Sequence, residues 1–325
     1  MSARVIESGD AAQIEAPARR RGVRTRRRAE TSALWRARYG SWAVWTFVIP
    51  PFGLLLLFVF WPMLYVAYLS LLKWDGLGPS RFVGLANYAR IVADNRFGVA
   101  LKHNAIWSAG ALMFPTMIGL GLAILLTRTR VPARGFFQVI YFLPQMIAST
   151  IVAVIWRWIY YPNGGTANAI LHALGLGAWQ PEWLADSKLA LLSVFIAYCW
   201  VANGFSMLIF MAAISSIDES LFEAAQIDGA NWWHETRYIL LPGIRQALAT
   251  VLVVTAIWSF QIFDLIYLTT KGGPGDATYV LSIGIYNNTF AHRRVGIGAA
   301  WSMVLLMIIL LLGSGMLLRK RKQAG

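Results

Sequence analysis

The sequence is short of charge. Of its 325 residues only 14% are Asp, Glu, Lys or Arg, while 58% are hydrophobic and the mean hydropathy is +0.55. That balance excludes a soluble domain and points to an integral membrane protein. Acidic residues are scarcer still, 15 against 29 basic ones, for a formal net charge of +14. Cysteine is nearly absent. Cys199 stands alone inside an apolar run, so there is no disulfide framework. His103, His172, His234 and His292 are scattered and lack partners at metal-ligand spacing, and His234-Glu235 lacks the rest of a zinc-protease helix. No Gly-x4-Gly-Lys-Ser/Thr pattern occurs. Gly272-Gly273-Pro274-Gly275 has neither the lysine nor the hydroxyl that would hold phosphate and Mg²⁺. With no Ser/His/Asp arrangement either, the chain carries no constellation for covalent chemistry or metal binding.

What the sequence has is long apolar runs. Six candidate spans fall near 43–71, 105–127, 136–160, 189–214, 246–269 and 296–318, each able to supply the roughly 20 apolar residues that a bilayer core demands. The expected fold is therefore all-α, a polytopic membrane protein of about six transmembrane helices. Pro50-Pro51 and Pro62 predict a kink in the first span. Trp42, Trp45, Trp74, Trp156, Trp158, Tyr160 and Tyr161 lie near span ends and read as an aromatic belt.

The basic residues suggest an orientation. Residues 1–40 form a tail built on Arg19-Arg20-Arg21 and Arg26-Arg27-Arg28, too long for a typical cleavable signal. It reads as disordered, or as lying against anionic lipid. No fold accompanies it that would make nucleic acid the partner. Residues 319–325 form a second basic tail, Arg319-Lys320-Arg321-Lys322. With both termini in the cytoplasm, the tails, Arg128, Arg130, Arg134, Arg237 and Arg245 lie inside. Lys73, Arg81, Arg90, Arg96, Lys102, Lys188, Lys271, Arg293 and Arg294 then lie outside. The inside carries roughly twice the basic load, as the positive-inside rule expects. The first external segment fits that rule imperfectly.

Within the transmembrane region, 41–318, residues 215–245 are a polar island. Ser216 and Glu219 have capping-box spacing. Leu221, Phe222 and Ala225 fall on one helical face, with Glu219, Glu223 and Gln226 towards another. Asp228-Gly229 signals a turn in which Gly229 is free to take positive φ. Asn231 is a candidate cap for a second short helix, which Pro242 closes.

Glu223-Ala224-Ala225, three residues, Gly229, nine residues, Ile239, one residue, then Leu241-Pro242 resembles the cytoplasmic EAA loop of permease subunits of binding-protein-dependent ABC importers. Asp218-Glu219 departs from the prolines common in that family, Thr236 from an aromatic and Gln246 from a proline. The outer segments resemble the carbohydrate branch, of the maltose, glycerol-phosphate and lactose type. They are Trp74-Asp75-Gly76 with Phe82-Val83-Gly84-Leu85-Ala86-Asn87-Tyr88, Trp156-Arg157-Trp158 with Tyr161-Pro162, and Phe263-Asp264 before Gly272-Gly273-Pro274-Gly275.

The resemblance implies a type I ABC importer permease fold in the cytoplasmic (inner) membrane, multi-pass, with both termini cytoplasmic. It implies a non-catalytic transport subunit that moves a sugar or sugar derivative by alternating access. The implied partners are a second permease subunit, two ATP-binding subunits that hold the ATP and Mg, an extracytoplasmic solute-binding protein and membrane lipid. This chain would carry no cofactor and bind no nucleic acid. The coupling helix would dock on an ATPase through Leu221, Phe222, Glu223, Ala224, Ala225, Asp228 and Gly229.

Polar residues inside spans offer a substrate pathway. Trp258, Gln261 and Asp264 form a drifting stripe in the fifth span, supplying an aromatic plane and hydrogen-bonding groups suited to a sugar. Trp200, Asn203 and Gly204 stand in mid-span in the fourth. Each has a structural alternative: Gln261 and Asp264 as glue between helices, Gly204 as a close-packing point. Arg157, near an outer span end, snorkels. The functional alternative is an ion-coupled secondary transporter with Asp264 as the titrating group, and the EAA loop stands against it.

Overall fold

The computed structural model describes residues 40–129 and 131–322. The basic tail before Gly40, Arg130 and the last residues of the second tail lie outside them. By internal contacts the chain divides into Met1–Leu64 and Tyr65–Gly325.

The first described element is helix α1 (Gly40–Leu55), which continues through a π turn, Leu56–Phe60, into Trp61–Leu69; the unit boundary falls within this last stretch. Over residues 45–62 its side chains are exposed all round, as in a helix that meets lipid, and Leu69 near its end is buried. The expected kink is a π turn instead. Pro62 has no N–H to give and its ring would meet the carbonyl of Phe58, so the turn widens by one residue and Trp61 N–H bonds to the Leu56 carbonyl. The same device recurs before Pro242, where Leu241 N–H bonds to the Thr236 carbonyl across the π turn Thr236–Leu240.

The second unit opens with a short antiparallel hairpin, β1 (Leu72–Lys73) and β2 (Arg81–Phe82), the one departure from an all-α chain among the described residues. Helix α2 (Ala86–Ala93) leads into α3 (Asn95–Arg128), whose 34 residues run about 50 Å. Then come α4 (Arg134–Met146), α5 (Ser149–Ile159), α6 (Thr166–Ala173) and α7 (Ala190–Ile214). The polar island forms α8 (Glu219–Ile227) and α9 (Trp232–Gly243). The chain ends in α10 (Arg245–Phe260), α11 (Asp264–Thr270), α12 (Leu281–Tyr286) and α13 (Val295–Lys322).

Four helices are long and apolar enough to cross a membrane, and six spans result if each bent pair counts as one. Two expectations need correction. The third span, expected as one helix over 136–160, is α4 and α5 bent by 100° at Ile147-Ala148, both in extended backbone. The fifth, expected over 246–269, stops at Phe260, and three residues separate it from α11. At its other end, α9 and α10 meet at 67°. The last helix carries on to Lys322, past the expected boundary at 318.

Helices α3 and α7 form the central pair, and glycine sets their approach. A Cβ on Gly119 would lie 2.5 Å from Ser206 Cβ and 2.8 Å from the Met207 nitrogen. Two apolar cores flank this contact. Trp107, Ile266, Ile283 and Trp301 fill the end nearer the start of α3. Leu126, Met207, Phe210, Phe222, Leu240 and Ile244 fill the end nearer the polar island. We expect Gly119→Leu to destabilise the fold by about 1–3 kcal/mol or more through overpacking, because the neighbour is backbone and cannot turn aside. Gly121→Leu, with nothing within 4 Å of the new Cβ, is the control. Thermal unfolding of the two variants in detergent, followed by fluorescence-detected gel filtration, separates them; equal midpoints would refute close packing at Gly119.

Candidate functional site

The polar island builds two short helices at an angle, and local chemistry sets both ends. The cap of α8 is Asp218, not the expected Ser216. The Asp218 carboxylate accepts the Ser220 amide at 3.0 Å, while Ser216 Oγ donates back to the Ala213 carbonyl at 2.7 Å. The hydrogen bonds from the Ser220 side chain and amide also hold the Asp218 carboxyl below its usual pKa. At the far end Gly229 takes φ +78°, as the turn signal predicts. Its amide bonds to the Gln226 carbonyl at 3.1 Å and that of Ala230 to Ala225 at 2.9 Å, the two bonds of a Schellman close. Asn231 then caps α9 by accepting the His234 amide at 3.0 Å. Pro242 does not end α9; the break falls at Ile244.

One residue outside the island holds it to the spans. Arg128, last of α3, donates from one guanidinium nitrogen to Glu219 Oε1 at 2.8 Å and from another to Glu235 Oε2 at 3.1 Å. The carbon between those nitrogens lies 3.6 Å from the centroid of the Phe222 ring, a cation–π stack. Gln226 Nε2 completes the knot by donating to Glu235 Oε1 at 2.9 Å. The Arg128 and Glu235 side chains are only 14% and 11% exposed, whereas that of Glu219 is 70% exposed. Sequence reading found Arg128 only as one of several inside cations. Nothing local distinguishes it from Arg130 or Arg134, because its partners lie some ninety and more residues on.

This geometry sorts the expected docking residues. Phe222 is 2% exposed and packs into the core beside Phe210 and Leu240, so it holds the loop to its own chain and offers no outward contact. It does not share a face with Leu221, which is exposed. Glu223, Ala224, Asp228 and Gly229 are exposed and Ala225 is half-buried. Ile227, 87% exposed, and Trp232 and Trp233 join this outward surface, and sequence reading missed all three. Of the five carboxylates from Asp218 to Glu235, one caps α8 and two hold Arg128. Glu223 and Asp228 have no side-chain partner among the described residues.

The pathway candidates divide into two groups. Trp258, Gln261 and Asp264 do come together, but around a break rather than along one helix. With Tyr198, Val201 and Ser149 they line a cavity of about 360 Å³ between the α4–α5 bend and the α10–α11 break. Side chains hold the break: Ser282 Oγ donates to the Ile262 carbonyl, and Asn104 Nδ2 reaches the Phe260 carbonyl at 3.5 Å. Asp264 opens α11, where the helix end favours its charge. Trp200, Asn203 and Gly204 are not among the residues lining this cavity. A Cβ on Gly204 would lie 2.7 Å from the Tyr141 carbonyl, which makes Gly204 the close-packing point of α7 on α4. The Asn203 amide donates to the carbonyls of Cys199 and Trp200 in its own helix. Trp200 packs near Trp156, with ring centroids 6.1 Å apart.

Four continuous spans and two broken ones, with a two-helix polar loop between the fourth and fifth, are the architecture of a membrane transport subunit. Residues 115–320 match the family described as binding-protein-dependent transport system inner membrane component, and the chain belongs to that family. It is a multi-pass inner-membrane permease subunit of an ABC importer, a non-catalytic component. It is 36% identical to a probable ABC transporter permease protein of Pyrococcus horikoshii, over 81% of this chain and 90% of that one. It is 32% identical to the sn-glycerol-3-phosphate transport system permease protein UgpA of Agrobacterium fabrum, over 82% and 90%. It is 30% identical to the diacetylchitobiose uptake system permease protein NgcF of Streptomyces coelicolor, over 85% and 81%. The fold matches a chain from a bacterial ABC transporter involved in import of the acidic polysaccharide alginate, with a TM-score of 0.77 at 24% identity, over 89% of this chain and 99% of that one.

The Arg128 knot makes a measurable demand. Arg128→Ala leaves Glu235 buried without its cation, which costs about 3–5 kcal/mol. Arg128→Lys retains the charge but loses the fork and the flat face. We expect both to loosen α8 and α9, read as faster amide exchange over 219–240, with Glu235→Gln partly relieving Arg128→Ala. Unchanged exchange in Arg128→Ala would refute the knot.

Proposed function

We propose that this chain forms one half of the membrane domain of an importer for a sugar or sugar derivative. A second permease subunit supplies the other half. Two ATP-binding subunits, which carry the ATP and Mg, dock under the coupling loop, and an extracytoplasmic solute-binding protein delivers the substrate. The proposal places both termini in the cytoplasm. The sugar assignment is supported by the names of relatives such as NgcF and UgpA and by the Trp258–Gln261–Asp264 cavity. The ion-coupled alternative finds no support among the relatives.

The observation that carries the reading is Glu223. It stands on a helix clamped to the spans through Arg128, is exposed, and has no partner of its own among the described residues. A short helix is marginal alone in water. The knot presents it ready-made, so a partner that grips Ile227, Leu221 and Glu223 moves α3 with it. Closure of the ATPase pair then reaches the breaks at Ile147 and Gln261, where the spans can rearrange around the cavity.

Truncating one member of a desolvated charged pair costs about 2–5 kcal/mol. Glu223→Lys should therefore release the ATP-binding subunits in a detergent pull-down or abolish substrate-stimulated ATP hydrolysis in proteoliposomes, with membrane insertion intact. Retention of both would remove the docking role. In the cavity, Gln261→Ala should lower uptake at limiting substrate by about two- to ten-fold, the value of one lost hydrogen bond. Assembly and basal hydrolysis should stay near normal, and unchanged uptake would mean that Gln261 only packs.

A further inference from the structure

At the end of the molecule far from the coupling loop, the basic residues that fit the positive-inside rule poorly come together. A cavity of about 650 Å³ opens between the β1–β2 hairpin, α2 and the start of α13, and Lys73, Arg81, Arg90, Arg293 and Arg294 line it. None of the five makes an ion pair among the described residues. The one carboxylate in the lining, Asp75, accepts the amides of Gly78 and Leu77 on Oδ1 at 3.0 Å each; these bonds hold its carboxyl below the usual pKa, and the Arg293 charge adds to them.

The arrangement is electrostatically unfavourable by itself. Lys73 sits directly opposite Arg81 in the hairpin, where like charges repel. Arg293 and Arg294 stand at the amino end of α13, the end that repels cations, and its first turn has no acidic residue to compensate. Arg293 is held there in left-handed backbone, φ +51°, a conformation that non-glycine residues rarely take. Asn87, 1% exposed, also lines the cavity; its amide donates to the Ser70 and Leu72 carbonyls at 2.8 Å, while its Oδ1 has no partner. Leu77, Phe82, Leu85 and Val92, each within two residues of a lining residue, are exposed apolar side chains on the hairpin and on or beside α2.

We propose that this cavity binds a phosphate group. The five cations supply charge-assisted hydrogen bonds to the phosphate oxygens. The exposed apolar rim favours the headgroup of an anionic glycerophospholipid in the leaflet opposite the coupling loop as the source. A soluble phosphate ester offers the same chemistry. The site is separate from the Trp258–Gln261 cavity and does not depend on the substrate assigned there.

The test uses the full chain in nanodiscs of mixed phosphatidylcholine and phosphatidylglycerol, with retained lipid counted by native mass spectrometry. Phosphatidylglycerol should be retained over phosphatidylcholine. The enrichment should fall about ten-fold in Arg81→Gln with Arg294→Gln, and again in Lys73→Gln with Arg90→Gln, the value of one lost charged hydrogen bond or more. Lys102→Gln with Lys188→Gln removes the same charge outside the cavity and should leave the enrichment unchanged. A second arm measures radiolabelled glycerol 3-phosphate and inorganic phosphate on the chain in phosphatidylcholine alone. Saturable binding there, lost in the cavity variants, with no lipid preference, assigns the site to a soluble phosphate. Retention of neither probe overturns the proposal and leaves an acidic protein surface as the partner of these cations. Equal losses in the cavity and control variants also overturn it, since the attraction would then be one of net charge.

Discussion

The lever role proposed for the two-helix loop rests on Arg128, which fastens the loop to α3. Three helix ends meet at that guanidinium, and each charge stands where the local backbone favours it. Arg128 closes the carboxyl end of α3, Glu219 opens α8 and Glu235 lies in the first turn of α9. The two bonds are unequal in worth. Glu219 is exposed, so water and salt screen its pair and it contributes little. Glu235 is nearly buried and accepts from Gln226 on its second oxygen, so breaking that side leaves a buried charge with one neutral amide donor and no cation. Phe222 adds a flat surface that only a guanidinium can match. A lever whose fulcrum is polar can be rigid towards its own spans and still present a wet outer face to a partner.

The second constraint is the backbone at the breaks. A chain in hydrocarbon must satisfy every amide within helices, and it can leave them only where protein or a cavity receives the freed groups. Two breaks, at Ile147-Ala148 and at 261–263, converge on the cavity that holds Trp258, Gln261 and Asp264. Asn104 and Ser282, which do not line it, take up the carbonyls of Phe260 and Ile262. By contrast Pro62 and Pro242 produce no break at their own positions. A π turn absorbs each, because the missing N–H and the ring clash are both relieved by one extra residue per turn. Pro62 thus marks no bend, whereas Pro144 and Pro242 lie two or three residues before the bends at Ile147-Ala148 and Ile244, and the break at 261–263 has no proline at all.

That contrast explains what could be read in the sequence. The loop was legible where the chemistry is local: the Glu-Ala-Ala to Gly229 spacing, the positive φ of Gly229 and the Asn231 cap each involve neighbours within a few residues. The cap of α8 was misassigned because Ser216 and Asp218 both have the chemistry, and only the backbone path decides between them. Phe222 looked like an outward anchor because helical spacing gives a face but not which neighbour covers it. The Trp258, Gln261 and Asp264 grouping came through despite a wrong premise. A stripe that drifts around a continuous helix is gathered into one cavity by a break the sequence does not announce.

The two ends of α3 show how charge can be read once the fold is known. At the carboxyl end one cation meets two carboxylates, and the site is closed by the chain's own residues. Beyond the amino end five cations share a cavity with one carboxylate already engaged in a turn. Arg96, in the first turn of α3, has its own partner in Asp276 at 3.2 Å, so cations on this face can be paired when the fold supplies an acid. Among the described residues, two acids pair with Arg128 and one with Arg96, and none pairs with the cavity's cations. The ion-paired acids thus sit where helices are joined, and the cavity keeps its positive charge for the group proposed to bind it.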